Sequence, residues 1–164
     1  MAEDNAGLRY GFRDPDGPGA PGEATPNVGW LMKECVYYAR KAVDDAVRPH
    51  GVSVSQWALL YQLAERPGLS GAELAREMLI TPQAVHQLLT TLQWMGLIER
   101  KADPNHARIY RSVLTEDGRR VADSCRAETL RIQRALVEGF DDEERKVLVE
   151  LLDRFLRTAQ SLAD

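Results

Sequence analysis

Apolar positions recur at steps of three and four residues from Asn27 onward, which is the pattern of amphipathic helices. The first such set contains Val28, Leu31, Cys35, Tyr38, Ala42 and Ala46. Gly51 follows this set, and glycine readily takes the left-handed conformation that ends a helix. The pattern predicts a first helix over residues 27–50.

The starts of five further helices are marked by N-cap residues. Three of them have a capping box, in which a short polar side chain and the side chain three residues later satisfy the first backbone amides. These pairs are Ser53 with Gln56, Ser70 with Glu73, and Asp141 with Glu144. Thr81 and Thr115 are the other two predicted N-caps, because threonine is favoured at this position. Pro82 supports the first of them, since proline is favoured at the first helical position.

The hydrophobic period changes after Gly96. Residues 97–101 and 109–114 each read as a short strand, and residues 102–108 between them are rich in turn formers. A β-hairpin directly after two helices is typical of a winged helix-turn-helix. We therefore predict a mainly α fold with a small β-hairpin wing (α+β), in which the helix-turn-helix is joined to a helical dimerisation region.

The chain is predicted to consist of an arm and one domain. Residues 1–26 are rich in Gly, Pro and acidic residues, which predicts a flexible N-terminal arm. Residues 53–114 form the predicted winged helix-turn-helix. Residues 27–50 and 116–164 add more amphipathic helix than one small winged domain needs to cover, and they complete a predicted domain spanning 27–164.

Composition narrows the function classes. The net charge is −4. Residues 1–69 and 112–164 are both acidic overall, whereas residues 70–111 carry five basic and four acidic side chains. Two cysteines and three scattered histidines predict neither a disulfide framework nor a metal site, and no cofactor motif is present. No apolar run approaches the ~20 residues of a membrane span, and no secretory signal is evident, so a cytoplasmic location is expected.

The helix predicted from Thr81 carries the main functional signal. In a helix-turn-helix the second helix enters the major groove of DNA. Its polar face carries Gln83, His86, Gln87 and Thr90, which are uncharged, whereas an ordinary solvated face more often carries Glu and Lys. Amide side chains pair with adenine, and hydroxyl and imidazole groups suit other base edges or phosphates. The alternative is a polar face that only meets water.

The hairpin adds basic side chains beside this helix. Arg108 lies near its predicted tip, and an arginine on a wing can enter the minor groove; a solvated surface hairpin is the alternative. The residues predicted to contact DNA are Ser70, Thr81, Gln83, His86, Gln87, Thr90, Arg100, Lys101, Arg108 and Arg111.

Four motifs resemble the multiple-antibiotic-resistance regulator (MarR) family, and the resemblance covers about Val28 to Leu162. They are Leu69-Ser70-Gly71-Ala72-Glu73-Leu74-Ala75, Thr81-Pro82-Gln83-Ala84-Val85, Gly96-Leu97-Ile98-Glu99-Arg100 and Leu114-Thr115-Glu116-Asp117-Gly118. The wing departs from the family pattern, because His106 stands where the family has aspartate two residues before Arg108. Asp103 is the nearby carboxylate expected to support Arg108 instead.

The resemblance implies a homodimer joined through dimerisation helices over residues 27–50 and 116–164, which represses transcription from a pseudo-palindromic operator in double-stranded DNA. It also implies a small phenolic or anionic effector bound between the dimer helices and the DNA-binding lobe. The aromatic and histidine side chains expected there are Trp30, Tyr37, Tyr38, His50, Trp57 and Tyr61. Aromatic residues at helical spacing are also typical of a plain core.

Two alternatives to a ligand-responsive DNA-binding regulator stay open. One branch of the family senses organic hydroperoxides through a cysteine on the first helix, which would be Cys35 here. Because Cys35 and Cys125 both fall in apolar sets, buried inert thiols are the interpretation we favour. A winged dimer that binds a protein partner is another alternative, and a steep salt dependence would distinguish DNA binding from it. No phosphate-binding loop, zinc-protease motif or nucleophile elbow is present, so no catalytic residue and no enzyme activity are predicted.

Overall fold

The computed structural model describes residues 28–106 and 108–163. The arm predicted over residues 1–26 lies outside them. The described residues form, in chain order, α1 (Val28–Val47), a 3-10 turn (Arg48–His50), α2 (Val54–Glu65), β1 (Leu69–Ser70), α3 (Gly71–Met78), α4 (Pro82–Trp94), β2 (Ile98–Ala102), β3 (Tyr110–Leu114), α5 (Glu116–Leu136) and α6 (Asp142–Ser161). The chain divides into two units, residues 1–45 and 46–164.

The predicted caps account for where the helices begin. The capping boxes at Ser53, Ser70 and Asp141 are all formed, with both the side-chain and the backbone hydrogen bond present. Thr81 and Thr115 each accept a hydrogen bond from the amide three residues later. The sequence prediction is therefore confirmed at all five positions.

The wing belongs to a three-stranded antiparallel sheet with the strand order β1-β3-β2. Strands β2 and β3 form the predicted hairpin, in which Ile98 pairs with Leu114 and Ala102 with Tyr110. Strand β1 was not predicted, since its two residues are too few for a period-two pattern. By pairing Leu69 with Ser112 and Ser70 with Arg111, β1 ties the start of α3 to the wing.

The core of residues 46–164 is formed by the apolar faces of α2 to α5 and by the start of β2. Its fully or nearly fully buried side chains include Leu59, Leu60, Leu63, Leu74, Val85, Leu89, Leu92, Ile98 and Cys125. Burial raises the pKa of the Cys125 thiol to about 11, so it is not ionised at neutral pH. The prediction that Cys125 is buried is confirmed, and its inertness stays a prediction.

The prediction was wrong for Cys35, which is exposed on α1 within the single chain. Its apolar neighbours Leu31 and Tyr38 are exposed as well, at 38% and 63%. Helical periodicity identifies an apolar face, but it does not say whether the same chain covers that face.

Helix α6 also has apolar side chains that the same chain does not cover, because none of its residues is buried. Its exposed apolar side chains are Val147, Val149, Leu151, Leu152, Phe155 and Leu156. Among the described residues, none of the helices is both long and apolar enough to cross a lipid bilayer.

Gly118, in the first turn of α5, touches the backbone of the wing. A Cβ atom at this position would lie 1.9 Å from the carbonyl oxygen of Leu97. That oxygen also accepts the amide hydrogen of Thr115 at 3.1 Å, so it is held in place. A side chain at residue 118 therefore has to push α5 away from β2.

We expect Gly118→Ala to lower the free energy of unfolding by about 1–3 kcal/mol, because overpacking forces the backbone to shift. Gly139→Ala is the matched control, since a Cβ at Gly139 meets nothing within 4 Å. Urea unfolding of both variants measures the difference. Equal stabilities would contradict the close approach.

Candidate nucleic-acid interface

Helices α3 and α4 are joined by a tight turn at Leu79. Leu79 has a φ of 54°, and its amide donates to the carbonyl oxygens at the end of α3. The amide of Ile80 donates to Ala75 O at 3.2 Å, and Thr81 then caps α4. This left-handed turn, rare outside glycine, makes the two helices a helix-turn-helix as predicted.

Helix α4 has one buried and one exposed face. Val85, Leu89 and Leu92 are buried at 1% exposure or less. Gln83, His86, Gln87 and Thr90 are all exposed on the other side. The helix contains no Asp, Glu, Lys or Arg. Its outer face therefore offers hydrogen-bonding groups to an anionic partner without charge repulsion.

Thr90 is partly committed within this face. Its hydroxyl donates to His86 O at 2.9 Å, which leaves the oxygen lone pairs available as acceptors. Thr81 accepts the amide hydrogen of Ala84 at 3.2 Å and begins the helix beside Gln83. The N-terminus of α4 has no acidic residue in its first turn, so its dipole stays open to an anion.

Arg108 lies in the segment between β2 and β3 and is exposed. Among the residues that the structure describes, its side chain has no hydrogen-bond or ion-pair partner. Backbone bonds hold the loop, with Asp103 N donating to Ile109 O and Ile109 N to His106 O, both at 2.8 Å. Arg108 therefore presents a guanidinium that is not paired with any of the described residues, on a loop with backbone hydrogen bonds at both sides.

The other predicted wing contacts differ in availability. Lys101 is exposed and ion-paired with Glu99 at 3.0 Å, a pair that an anion can displace. Arg100 is half-buried, with its guanidinium 5.5 Å from the centre of the Tyr110 ring. Its Nε has no hydrogen-bond partner among the described residues.

Arg111 binds two carboxylates inside the protein. Its Nε donates to Asp103 Oδ2 at 2.7 Å, and its Nη1 donates to Glu73 Oε2 at 2.9 Å and to Gly68 O at 3.2 Å. The expectation that Asp103 supports Arg108 was wrong. Strand alternation explains this. Ile109 lies opposite Asp103, and Arg111 follows Ile109 by two residues, so the side chain of Arg111 is on the same face of the sheet as Asp103.

Ser70 also makes internal contacts. Its Oγ donates to Glu73 Oε2 at 2.6 Å, and its amide donates to the same oxygen at 2.8 Å. Glu73 is thus shared by the cap of α3 and by Arg111 of the wing. The sequence indicated only the capping role, and the link to Arg111 depends on the β1–β3 pairing.

The side chains predicted to bind an effector lie in both units. In residues 1–45, Tyr37 and Tyr38 are exposed and in edge-to-face contact at 5.1 Å between ring centres, and Lys33 Nζ lies 4.5 Å from the Trp30 ring centre.

In residues 46–164, the rings of Trp57 and Tyr61 lie 5.7 Å apart, and His50 is half-buried at the end of the 3-10 turn. The indole Nε1 of Trp57 is buried and has no hydrogen-bond partner among the described residues. The same described residues contain no group of three His, Cys, Asp or Glu side chains placed to hold a metal ion.

Sequence comparison identifies the protein's relatives. The sequence profile of the MarR family matches residues 50–109. An HTH-type transcriptional repressor of Mycobacterium tuberculosis is 35% identical over 95 residues, which cover 58% of this chain and 68% of the repressor. The chain belongs to the MarR family.

Other repressors and regulators are similar to this chain at lower identity. The homoprotocatechuate degradative operon repressor of Escherichia coli is 26% identical over 127 residues, 75% of this chain and 86% of the repressor. A solved MarR family transcription regulator superposes with a TM-score of 0.77 at 27% identity, covering 82% of this chain and 89% of its own. A mutant MarR from E. coli complexed with operator DNA shares the fold, with a TM-score of 0.74 at 20% identity over 79% and 93% of the two chains.

The carboxylates around Arg111 make stability depend on pH. Hydrogen bonds from Ser70, and then the charge of Arg111, lower the pKa of Glu73. The hydrogen bond from Arg111, and then that from the Asn105 amide, lower the pKa of Asp103. Both groups stay ionised in the folded protein at pH values where the unfolded chain takes up protons.

We therefore expect their stabilising contribution to be complete above the ordinary carboxylate pKa values near 4 and to be lost as the pH falls through the lowered values. Urea unfolding between pH 7 and pH 3 measures this loss. In Arg111→Met the loss is expected to be smaller, since the pKa values return toward normal. An unchanged pH dependence in this variant would contradict the role of Arg111.

Proposed function

We propose that this MarR-family regulator is a transcriptional repressor that binds a pseudo-palindromic operator in double-stranded DNA as a homodimer, in the cytoplasm and without enzyme activity. Two observations carry the proposal: the exposed, uncharged hydrogen-bonding face of α4, and the exposed Arg108 of the wing, whose side chain has no partner among the described residues. We further propose that residues 53–114 are the DNA-binding part, and that residues 27–50 and 116–164 form the dimerisation region.

The face of α4 suits base recognition in the major groove. An α-helix fits into this groove, and Gln83 and Gln87 lie one turn apart on its exposed side. Glutamine pairs bidentately with the N6 and N7 positions of adenine. His86 and Thr90 extend the same face, so the helix offers four side chains for base edges or nearby phosphates.

The wing supplies the second contact. Because the Arg108 guanidinium has no ion pair with the described residues, none of these has to be broken when it binds DNA. The narrow minor groove also attracts arginine. Lys101 and Arg100 lie on the adjacent strand, and Ser70 and Thr81 begin the two helices. These four residues stay predicted DNA contacts that add to those of α4 and Arg108.

Gln83→Ala, Gln87→Ala and Arg108→Ala are each expected to weaken binding to the operator by about 1–3 kcal/mol, the range for a lost base contact. Arg108→Ala is also expected to reduce the slope of log affinity against log salt by about 0.9, because one phosphate-neutralising charge is lost. Fluorescence anisotropy with DNA from upstream of the gene, across a salt series, measures both quantities.

Gln133→Ala and Arg120→Ala on α5 are the matched controls, since they remove the same groups outside the helix-turn-helix. Weak, sequence-indifferent binding that none of the variants changes would reject the DNA interface. It would favour instead a winged dimer that recognises a protein.

The dimer is proposed from the exposed apolar faces of α1 and α6. Leaving Phe155, Leu152 and Leu156 in water is costly, at about 25 cal/mol per Å² of apolar area, so a second copy of the chain is the expected cover. Two-fold symmetry then places two α4 helices about 34 Å apart, one turn of DNA.

Phe155→Asp is expected to convert the protein from dimer to monomer in light scattering at micromolar concentration, and to lower operator affinity with it. Glu150→Ala, on the polar side of α6, is expected to stay dimeric. A monomeric wild-type protein that still binds the operator tightly would overturn the dimer proposal.

We also propose a phenolic or anionic effector near Trp57 and Tyr61. The Trp57 indole donor is buried without a hydrogen-bond partner among the described residues, which costs about 1–3 kcal/mol that an acceptor oxygen on a ligand would offset. One relative represses a homoprotocatechuate degradative operon, and that compound is a phenolic carboxylate. Hydroxybenzoates should release operator DNA from the wild type but not from Trp57→Phe; release from both would contradict this site.

Redox sensing by Cys35 is the second candidate, because its thiol is exposed in the single chain, and it requires the thiol to stay accessible in the proposed dimer. Oxidation requires an accessible sulfur, whereas the buried Cys125 is protected. If Cys35 senses hydroperoxides, cumene hydroperoxide abolishes DNA binding in the wild type and leaves Cys35→Ser active. Equal responses of the two proteins would exclude it.

A further inference from the structure

Arg111 stands apart from the other basic residues of the wing, because its guanidinium already has three acceptors within the protein. Asp103 is 9% exposed at its side chain and Arg111 is 37% exposed. A phosphate contact by Arg111 would compete with a 2.7 Å ion pair to Asp103 and a 2.9 Å ion pair to Glu73. The guanidinium is thus committed before any DNA arrives.

The acceptors of Arg111 come from three separate parts of the winged helix. Asp103 begins the loop of the wing, Glu73 lies in the first turn of α3, and Gly68 precedes β1. Asp103 Oδ1 in turn accepts the amide hydrogen of Asn105 at 2.8 Å, which extends the connection into the loop that carries Arg108. Arg111 therefore joins the wing loop to the start of the helix-turn-helix.

We propose that Arg111, through Asp103 and Glu73, is a positioning residue that fixes the wing, and hence Arg108, relative to α3 and α4. This inference rests on the proposed DNA-binding function. It replaces, for Arg111, the direct DNA contact predicted from the sequence.

The chemistry of arginine suits this role. Its rigid fork presents Nε and Nη1 in different directions, so one side chain binds two carboxylates that belong to different elements. A lysine carries the same charge but only a single nitrogen, which does not hold the two carboxylates in the same geometry. Pairing of β1 with β3 places Ser70 opposite Arg111, and this brings Glu73 within reach.

The two possible roles of Arg111 predict opposite effects of removing Asp103. If Arg111 contacts a phosphate, Asp103→Ala frees its guanidinium and removes a negative charge near DNA, so binding strengthens. If Arg111 positions the wing, Asp103→Ala weakens operator binding roughly tenfold, because the displaced wing loses the Arg108 contact. Arg111→Lys, which keeps the charge, is expected to weaken binding by a similar factor.

A double-variant comparison separates the roles further. In the Arg108→Ala background, Arg111→Ala is expected to leave the salt slope unchanged, since the contact that it positions is already gone. A further decrease of about 0.9 in the slope would identify Arg111 as a phosphate contact and overturn the proposal. Arg120→Ala, whose partner Asp117 lies on the same helix, is the matched control.

Amide hydrogen exchange of the protein without DNA tests the positioning directly. Asp103→Ala and Arg111→Lys are expected to accelerate exchange in residues 103–109 while the amides of α4 stay protected. Unchanged exchange in the wing overturns the proposal even if the wild type binds its operator. Faster exchange together with no operator binding by the wild type would leave the positioning contact standing and reject the proposed function.

Discussion

The burial of one face of α4 is the constraint on which the rest of this protein depends. Val85, Leu89 and Leu92 are packed into the core, so the orientation of the helix about its own axis is fixed. That orientation decides which residues face the solvent, and it exposes Gln83, His86 and Gln87 together. The hydrophobic effect that folds the domain thereby also presents the surface that we assign to DNA.

The charges near this surface differ from the net charge of the whole chain. The chain is acidic overall, with a net charge of −4, yet α4 carries no charge, and Arg108 of the wing has no side-chain partner among the described residues. The carboxylates of Glu73 and Asp103 are both paired with Arg111, which reduces their combined charge from −2 to −1. An acidic protein can thus bind a polyanion, because the potential near the contact surface matters more than the sum.

Local signals explain why the helices could be predicted from the sequence. Capping residues such as Ser53 and Thr81 act on amides three positions away, so their effect is readable from the chain itself. Contacts between distant elements could not be read in this way. The pairing of β1 with β3, the choice of Arg111 rather than Arg108 by Asp103, and the exposure of Cys35 all depend on which surfaces meet in the folded chain.

The most direct test of DNA recognition is selection of binding sites from a pool of random double-stranded DNA. If α4 reads base sequence in a two-fold symmetric dimer, the selection enriches one pseudo-palindromic sequence whose half-sites lie about one helical turn apart. The Gln83→Ala/Gln87→Ala double variant should lose or change that sequence while remaining folded. Failure of the wild-type protein to enrich any sequence, at low as well as moderate salt, would contradict sequence-specific DNA binding by α4.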